Sequence, residues 1–220
     1  VGLMADVGHN SGQPLSDEQK AKLEVENGLQ QFDRALQVIE EYIDPERPFN
    51  LRPYLIRELQ AIAVDGGLLD AGNPGDWRTT SVEITKSKHS PPPPHTVEMH
   101  VVELCEYINN NLHERTPLHL ASYIMWRLNW IHPFPDGNGR TSRILSYILL
   151  NVKLGYILPG NPSIPQQIVE RRSLYLDALE AADTSILDGG ELNLSQMEKM
   201  LRAMLANQLV SVVDSADRAG

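Results

Sequence analysis

The chain has 220 residues, a formal net charge of −10, 41% hydrophobic and 22% charged residues, and one cysteine, Cys105. These values describe a soluble globular protein with a sizeable core; they exclude an intrachain disulfide, and no apolar run nears the ~18 residues of a membrane helix. The acidic balance argues against a nucleic-acid partner, which would require Lys and Arg to meet phosphates, and without a basic-then-apolar leader pattern a cytoplasmic location with no membrane attachment is expected.

Residues 1–15 carry Gly, Asn, Ser and Pro without periodicity and read as a mobile tail. Ser16 followed by Asp17 and Glu18 marks a helix entry. From there Leu29, Phe32, Leu36, Ile39 and Ile43 recur at helical spacing. Asn27-Gly28 interrupts the start of that pattern, so residues 16–51 are expected to hold two helices joined by a tight link, ended by Pro45 and Pro48. Arg52 to Val64 reads as a helix with Leu55, Leu59, Ile62 and Ala63 inward. Gly66-Gly67 and Gly72 to Gly75 mark a loop. Trp77 to Thr85 has β-branched residues in partial alternation and is the one strand candidate. The proline run Pro91 to Pro94 then closes a short hairpin flap, or serves as a spacer before the next helix.

Val97 to Asn110 is predicted helical, with Met99, Val102, Leu104 and Ile108 toward the core and Cys105 buried. His119 to Ile131 is strongly apolar and reads as the central helix of a bundle. Ile144, Leu145, Ile148, Leu149 and Val152 continue a helix as far as Gly155. Residues 166–182 (Ile168, Leu174, Leu176, Leu179) and 194–213 (Leu194, Met197, Leu201, Leu205, Leu209) supply two more. The fold class expected is mostly α, seven or eight helices with one small β-hairpin flap.

Between two of these helices lies Trp130-Ile-His-Pro-Phe-Pro-Asp-Gly-Asn-Gly-Arg-Thr-Ser-Arg143. Asp-Gly and Asn-Gly often make hairpin turns, but both flanks here have helical period. A glycine-rich loop feeding a helix N-terminus fits better: Gly137 and Gly139 let the backbone expose N–H groups beside the positive end of the helix dipole. Arg140 and Arg143, three apart, both project from the first turn and suit polyphosphate oxygens, unless they pair with acidic neighbours. His132 either caps carbonyls or, beside a phosphate cradle, acts as general base. Asp136 either holds Mg²⁺ against the phosphates or caps the next turn. The implied chemistry is nucleotidyl or phosphoryl transfer to a hydroxyl.

His132-Pro-Phe-Pro-Asp-Gly-Asn-Gly-Arg-Thr-Ser-Arg143 resembles the signature of the Fic (Fido) family, His-x-Phe-x-Asp/Glu-Gly-Asn-Gly-Arg-x-x-Arg, at every fixed position. The order of elements over residues 52–185 also resembles that family's helical core and flap, leaving 186–220 as a C-terminal helical extension that could support a homodimer. The resemblance implies a protein adenylyltransferase that moves AMP from ATP to a Ser, Thr or Tyr hydroxyl of a target protein and releases pyrophosphate. By it His132 takes the hydroxyl proton and Asp136 binds Mg²⁺. Gly137, Asn138 and Gly139 hold the phosphates, Arg140 grips the β-phosphate and Arg143 the γ-phosphate. Glycine at 139, where a kinase-like branch of the family carries lysine, favours AMP transfer over phosphorylation.

The flap, with Val82 or Ile84, would align an extended target segment. Lys22-Leu-Glu-Val-Glu26-Asn27 is similar to the family's inhibitory motif in its Glu-Asn ending but has Lys22 where Ser or Thr is usual, so Glu26 is a candidate off-switch acting on Arg143. Alternatives within the same fold are another donor (UMP, GMP or phosphocholine transfer), AMP removal, or a catalytically silent scaffold that binds proteins.

Overall fold

Eight α-helices build the fold in a computed structural model that describes residues 15–84 and 87–219. They are α1 (Asp17–Tyr42), α2 (Pro53–Ala63), α3 (Val97–Asn111), α4 (Pro117–Ile131), α5 (Asn138–Leu154), α6 (Ile164–Glu170), α7 (Arg172–Ser185) and α8 (Ser195–Ala219). Of the predicted tail, only Leu15 falls among the described residues. α4 and α5 form the central pair; α1 and α2 pack on α5, while α3, α7 and α8 pack on α4. Covered on several sides, α4 buries Leu120, Ile124, Met125, Leu128 and Ile131 completely, which accounts for its strongly apolar sequence. α8 belongs to the same interior, since Met197, Leu201 and Met204 are buried in the common core. No helix of the described residues is long and apolar enough to cross a membrane.

α1 begins at a capping box: Gln19 N–H donates to Ser16 Oγ (3.2 Å) and Ser16 N–H to Gln19 Oε1 (2.8 Å). It then runs unbroken through Asn27-Gly28, so the expected pair of helices is one helix of 26 residues. Tertiary bonds override the local weakness: Asn27 Nδ2 donates to Asp65 O (2.9 Å) and Gln31 Nε2 to Leu59 O (2.8 Å). The buried stripe is therefore Asn27, Gln31, Ala35, Val38 and Ile39, and Leu29, expected inward, is exposed. A Cβ added to Gly28 meets no atom within 4 Å. Gly28→Ala is thus expected to stabilise the fold by about 0.5–1 kcal/mol in chemical denaturation, as glycine in a helix interior costs that much. A lower midpoint would contradict a continuous α1.

Three further expectations are corrected by packing. In α3 the inward stripe is Val97, Val101, Leu104, Cys105 and Ile108, while Met99 and Val102 face outward. Burial pushes the Cys105 thiol up to about 12, as befits an inert core side chain. The helix predicted over 166–182 is two helices broken at Arg171 (φ −114°, ψ 45°), and Leu174 and Leu176 are exposed.

Finally, the described part of residues 77–90 contains no strand. The segment does turn back, with Ser87 N–H donating to Ile84 O (3.0 Å), but its return limb runs into Pro91 to Pro94. None of these prolines has an N–H to give to a ladder.

Candidate active site

α4 enters through Pro117 behind Thr116, whose hydroxyl accepts from His119 N–H (3.1 Å), and ends at Ile131. His132 follows with φ 49° and ψ 58°, the only non-glycine residue at positive φ among the described residues. For a side chain bearing a Cβ this left-handed conformation costs about 1–2 kcal/mol, so the surroundings must impose it.

They do so through Arg78, a residue the sequence offered only as part of a strand. Its Nε donates to His132 O (2.7 Å), and its terminal nitrogens donate to Ile131 O (3.3 Å), Thr80 O (3.1 Å) and Pro92 O. Its own N–H donates to Pro133 O (2.8 Å). The side chain is 3% exposed, and burial pushes its pKa down. One guanidinium thereby ties the end of α4 to both limbs of the flap. Its position at the negative end of α4 supplies favourable charge without any carboxylate.

The loop itself is braced from inside. Asn138 Oδ1 accepts from Phe134 N–H and its Nδ2 donates to Phe134 O, both at 2.9 Å. Asn138 is 2% exposed, so its side chain shapes the loop and only backbone is left for a ligand. Phe134 is fully buried against Trp77, ring centroids 4.9 Å apart. Gln60 of α2, also unmarked in the sequence, donates to Asp136 O (3.0 Å) and accepts from Gly75 N–H (2.6 Å). Gly137 (φ 81°) caps α5; a Cβ there would lie 3.0 Å from Val64 Cγ1, so glycine is required for conformation and space alike.

His132 lines a cavity of about 330 Å³ together with Gly139 and Arg143. Burial is the main influence lowering its pKa, the Arg78 and His89 charges act in the same direction, and the Asn129 carbonyl and Asp136 oppose them. The ring is therefore neutral at pH 7 and able to accept a proton. Arg143 makes no ion pair with a carboxylate among the described residues; burial foremost, with Arg172 and Arg140, pushes its pKa down against Tyr175.

α7 lines the cavity lengthwise with Arg172, Leu176, Leu179 and Asp183. At 1.5 Å per residue, Arg172 and Asp183 stand about 16 Å apart along the axis, which makes one end of the cavity cationic and the other acidic. Ile84 and His89 cover it from the flap side. His89 Nε2 lies 2.7 Å from Trp130 O, and Lys88 reaches across to Glu180 (2.9 Å). Val82 is partly exposed and is not among the lining residues.

Arg140 and Asp136 are joined, Nη2 to Oδ2 at 2.7 Å, and Arg140 Nη1 also donates to Ala63 O (2.9 Å). Among the described residues no three His, Cys, Asp or Glu side chains gather as a metal cage. One exposed carboxylate is compatible with Mg²⁺, which commonly takes one or two carboxylates and completes its shell with other oxygen ligands and water. On the α1 side, Glu24 Oε1 lies 3.7 Å from Arg140, whereas Glu26 pairs with Lys22 at 3.7 Å. Glu24 and Gly28 line a second cavity of about 530 Å³, into which Arg140 and Arg143 also project.

Residues 48–150 match the Fic/DOC family. The protein adenylyltransferase Fic of Drosophila grimshawi is 35% identical over 121 residues, 53% of this chain and 23% of that protein. Its Drosophila melanogaster counterpart is 34% identical over 119 residues, 53% of this chain and 22% of that protein. The chain thus spans under a quarter of the length of these relatives. Among solved structures, a Fic domain containing signaling protein from Bacteroides thetaiotaomicron superposes with TM-score 0.67 at 24% identity, covering 90% of this chain and 73% of that one. Fic-1 (residues 134–508) from C. elegans superposes with TM-score 0.66 at 21% identity, covering 95% and 61%. At these identities the structures establish the helical fold, and the stretch that matches the Fic/DOC family, residues 48–150, carries the His132-to-Arg143 loop between the two central helices.

Proposed function

We propose that the protein transfers AMP from ATP to a Ser, Thr or Tyr hydroxyl of a target protein and releases pyrophosphate. The observation that carries this reading is a half-buried, neutral His132 sharing one cavity with Gly139 and with Arg143, which makes no ion pair among the described residues, at the start of α5. His132 takes the hydroxyl proton as the oxygen bonds to the α-phosphorus; the bond from that phosphorus to the bridging oxygen breaks, and pyrophosphate leaves. The N-terminal amides of α5, with Arg140 and Arg143, stabilise the charge gathering on the phosphates. Asp136 would hold Mg²⁺, which when bound neutralises phosphate charge. Ile84, on the cavity wall, and Val82 beside it would align the target segment.

Incubation with α-labelled ATP and Mg²⁺ in a lysate tests the reading. Label in a protein band, competed by ATP more strongly than by UTP or GTP, is expected. Label only from γ-labelled ATP would indicate phosphorylation and overturn it.

Regulation by α1 belongs to the same proposal, with Glu24 better placed than Glu26 to compete with phosphate for Arg140. Glu24 is exposed and Arg140 partly so, and ion pairs at the surface contribute about 0.2–1 kcal/mol. Glu24→Gln is therefore expected to raise apparent ATP affinity by up to roughly fivefold, with Glu26→Gly near neutral. The reverse order would return the role to Glu26 acting on Arg143.

A further inference from the structure

Arg172 is the first residue of α7 and lines the cavity that holds His132, Gly139 and Arg143. No loop motif marks it, and it lies 29 positions beyond Arg143. It makes no ion pair among the described residues. The acidic residues on the same cavity wall, Glu180 and Asp183, stand about 12 and 16 Å further along the helix at 1.5 Å per residue. Arg143 and Arg172 thus line one partly enclosed cavity, and the Arg172 charge, after burial and Tyr175, acts against the charge of Arg143. A second cation beside the partly buried Arg143 is unfavourable for it until an anion joins the two. Arg172 itself stands at the start of α7, where the helix adds its positive dipole end.

We propose that Arg172 is a third phosphate-binding residue, gripping the terminal phosphate oxygens of the nucleotide from the α7 side, opposite Arg143. This rests on the nucleotide-transfer reading of the cavity and adds to it a grip from outside the loop. A guanidinium suits that task because its planar fork can take two oxygens at once. Arg172 is exposed before the nucleotide arrives, so replacing it removes no core contact.

The test is calorimetric binding of ATP, AMP and pyrophosphate to the wild type, Arg172→Ala and Arg172→Lys, with melting temperatures as a control for folding. Arg172→Ala is expected to weaken ATP and pyrophosphate about tenfold, the usual scale for a charge-assisted contact, and to leave AMP within about twofold. Arg172→Lys should recover part of the loss, since the charge remains and the fork is gone. Equal losses for ATP and AMP would place Arg172 elsewhere on the nucleotide. Unchanged ATP binding with reduced transfer would place it against the target protein. Either result overturns the assignment while the transfer reading stands. A wild type that binds neither ATP nor pyrophosphate would overturn both.

Discussion

Replacing His132 with alanine is expected to lower AMP transfer by about 10²–10⁴-fold, the usual contribution of a positioned general base, while ATP affinity stays within about twofold because phosphate contacts are untouched. His132→Asn is the sharper control: asparagine tolerates the left-handed backbone that His132 adopts, so it preserves the loop and removes the base. Transfer by either variant at the wild-type rate would sink the assignment.

The acid limb of the wild-type profile carries a second expectation. Burial holds the His132 pKa below the ordinary value, so the neutral ring persists into more acidic solution, and transfer should begin to fall only below pH ~6.5. The same depressed pKa contributes stability that is present above about pH 6.5 and lost as pH falls through the folded value. His132→Asn should lack that part of the acid sensitivity. A midpoint at or above pH 6.5 would indicate a solvated or anion-paired ring.

Arg78→Met should show the largest stability effect, because it removes the donor from four backbone carbonyls at once. A buried group left unsatisfied costs about 1–3 kcal/mol, and partial relaxation with water entry brings the total to roughly 3–5 kcal/mol, comparable with breaking a buried charged network. For a chain this long that corresponds to about 6–20 °C in melting temperature. Arg78→Lys should fall between, since an ammonium has three donors on a point charge and cannot span carbonyls from three segments. Transfer should decline with both variants even at temperatures where they remain folded, because His132 loses the contact that holds its strained backbone. A variant that melts and transfers like the wild type would show that the loop geometry is held by other means.

The linear chain carries much of this. Helical periodicity identified the central pair, because α4 and α5 bury so much of their surface that apolar residues recur along their length. The loop was legible because its chemistry is contiguous. His132, Asp136, Gly137, Gly139, Arg140 and Arg143 sit within twelve positions, and a glycine that must adopt positive φ next to a helix start leaves a local mark. Where local propensity and tertiary bonding compete, the same reasoning misleads. Asn27-Gly28 looks like a break, yet Asn27 and Gln31 anchor α1 to the end of α2; Trp77 to Thr85 looks like a strand, yet its return limb runs into four prolines that have no N–H to give.

The His132-to-Arg143 loop, the residue types in it and the helices that carry it were readable from the chain alone, because each rests on neighbours along the chain. Folding, by contrast, is what brings Arg78, 54 residues before His132, to hold the His132 backbone. The fold likewise brought Gln60 to the loop from 76 residues away, Glu24 rather than Glu26 to Arg140, and Arg172 into the cavity beside Arg143. The physical reason is common to all four. A hydrogen bond or charge contact has a range of a few ångströms in space and no fixed range in sequence, so a partner on another helix leaves no periodic or local trace.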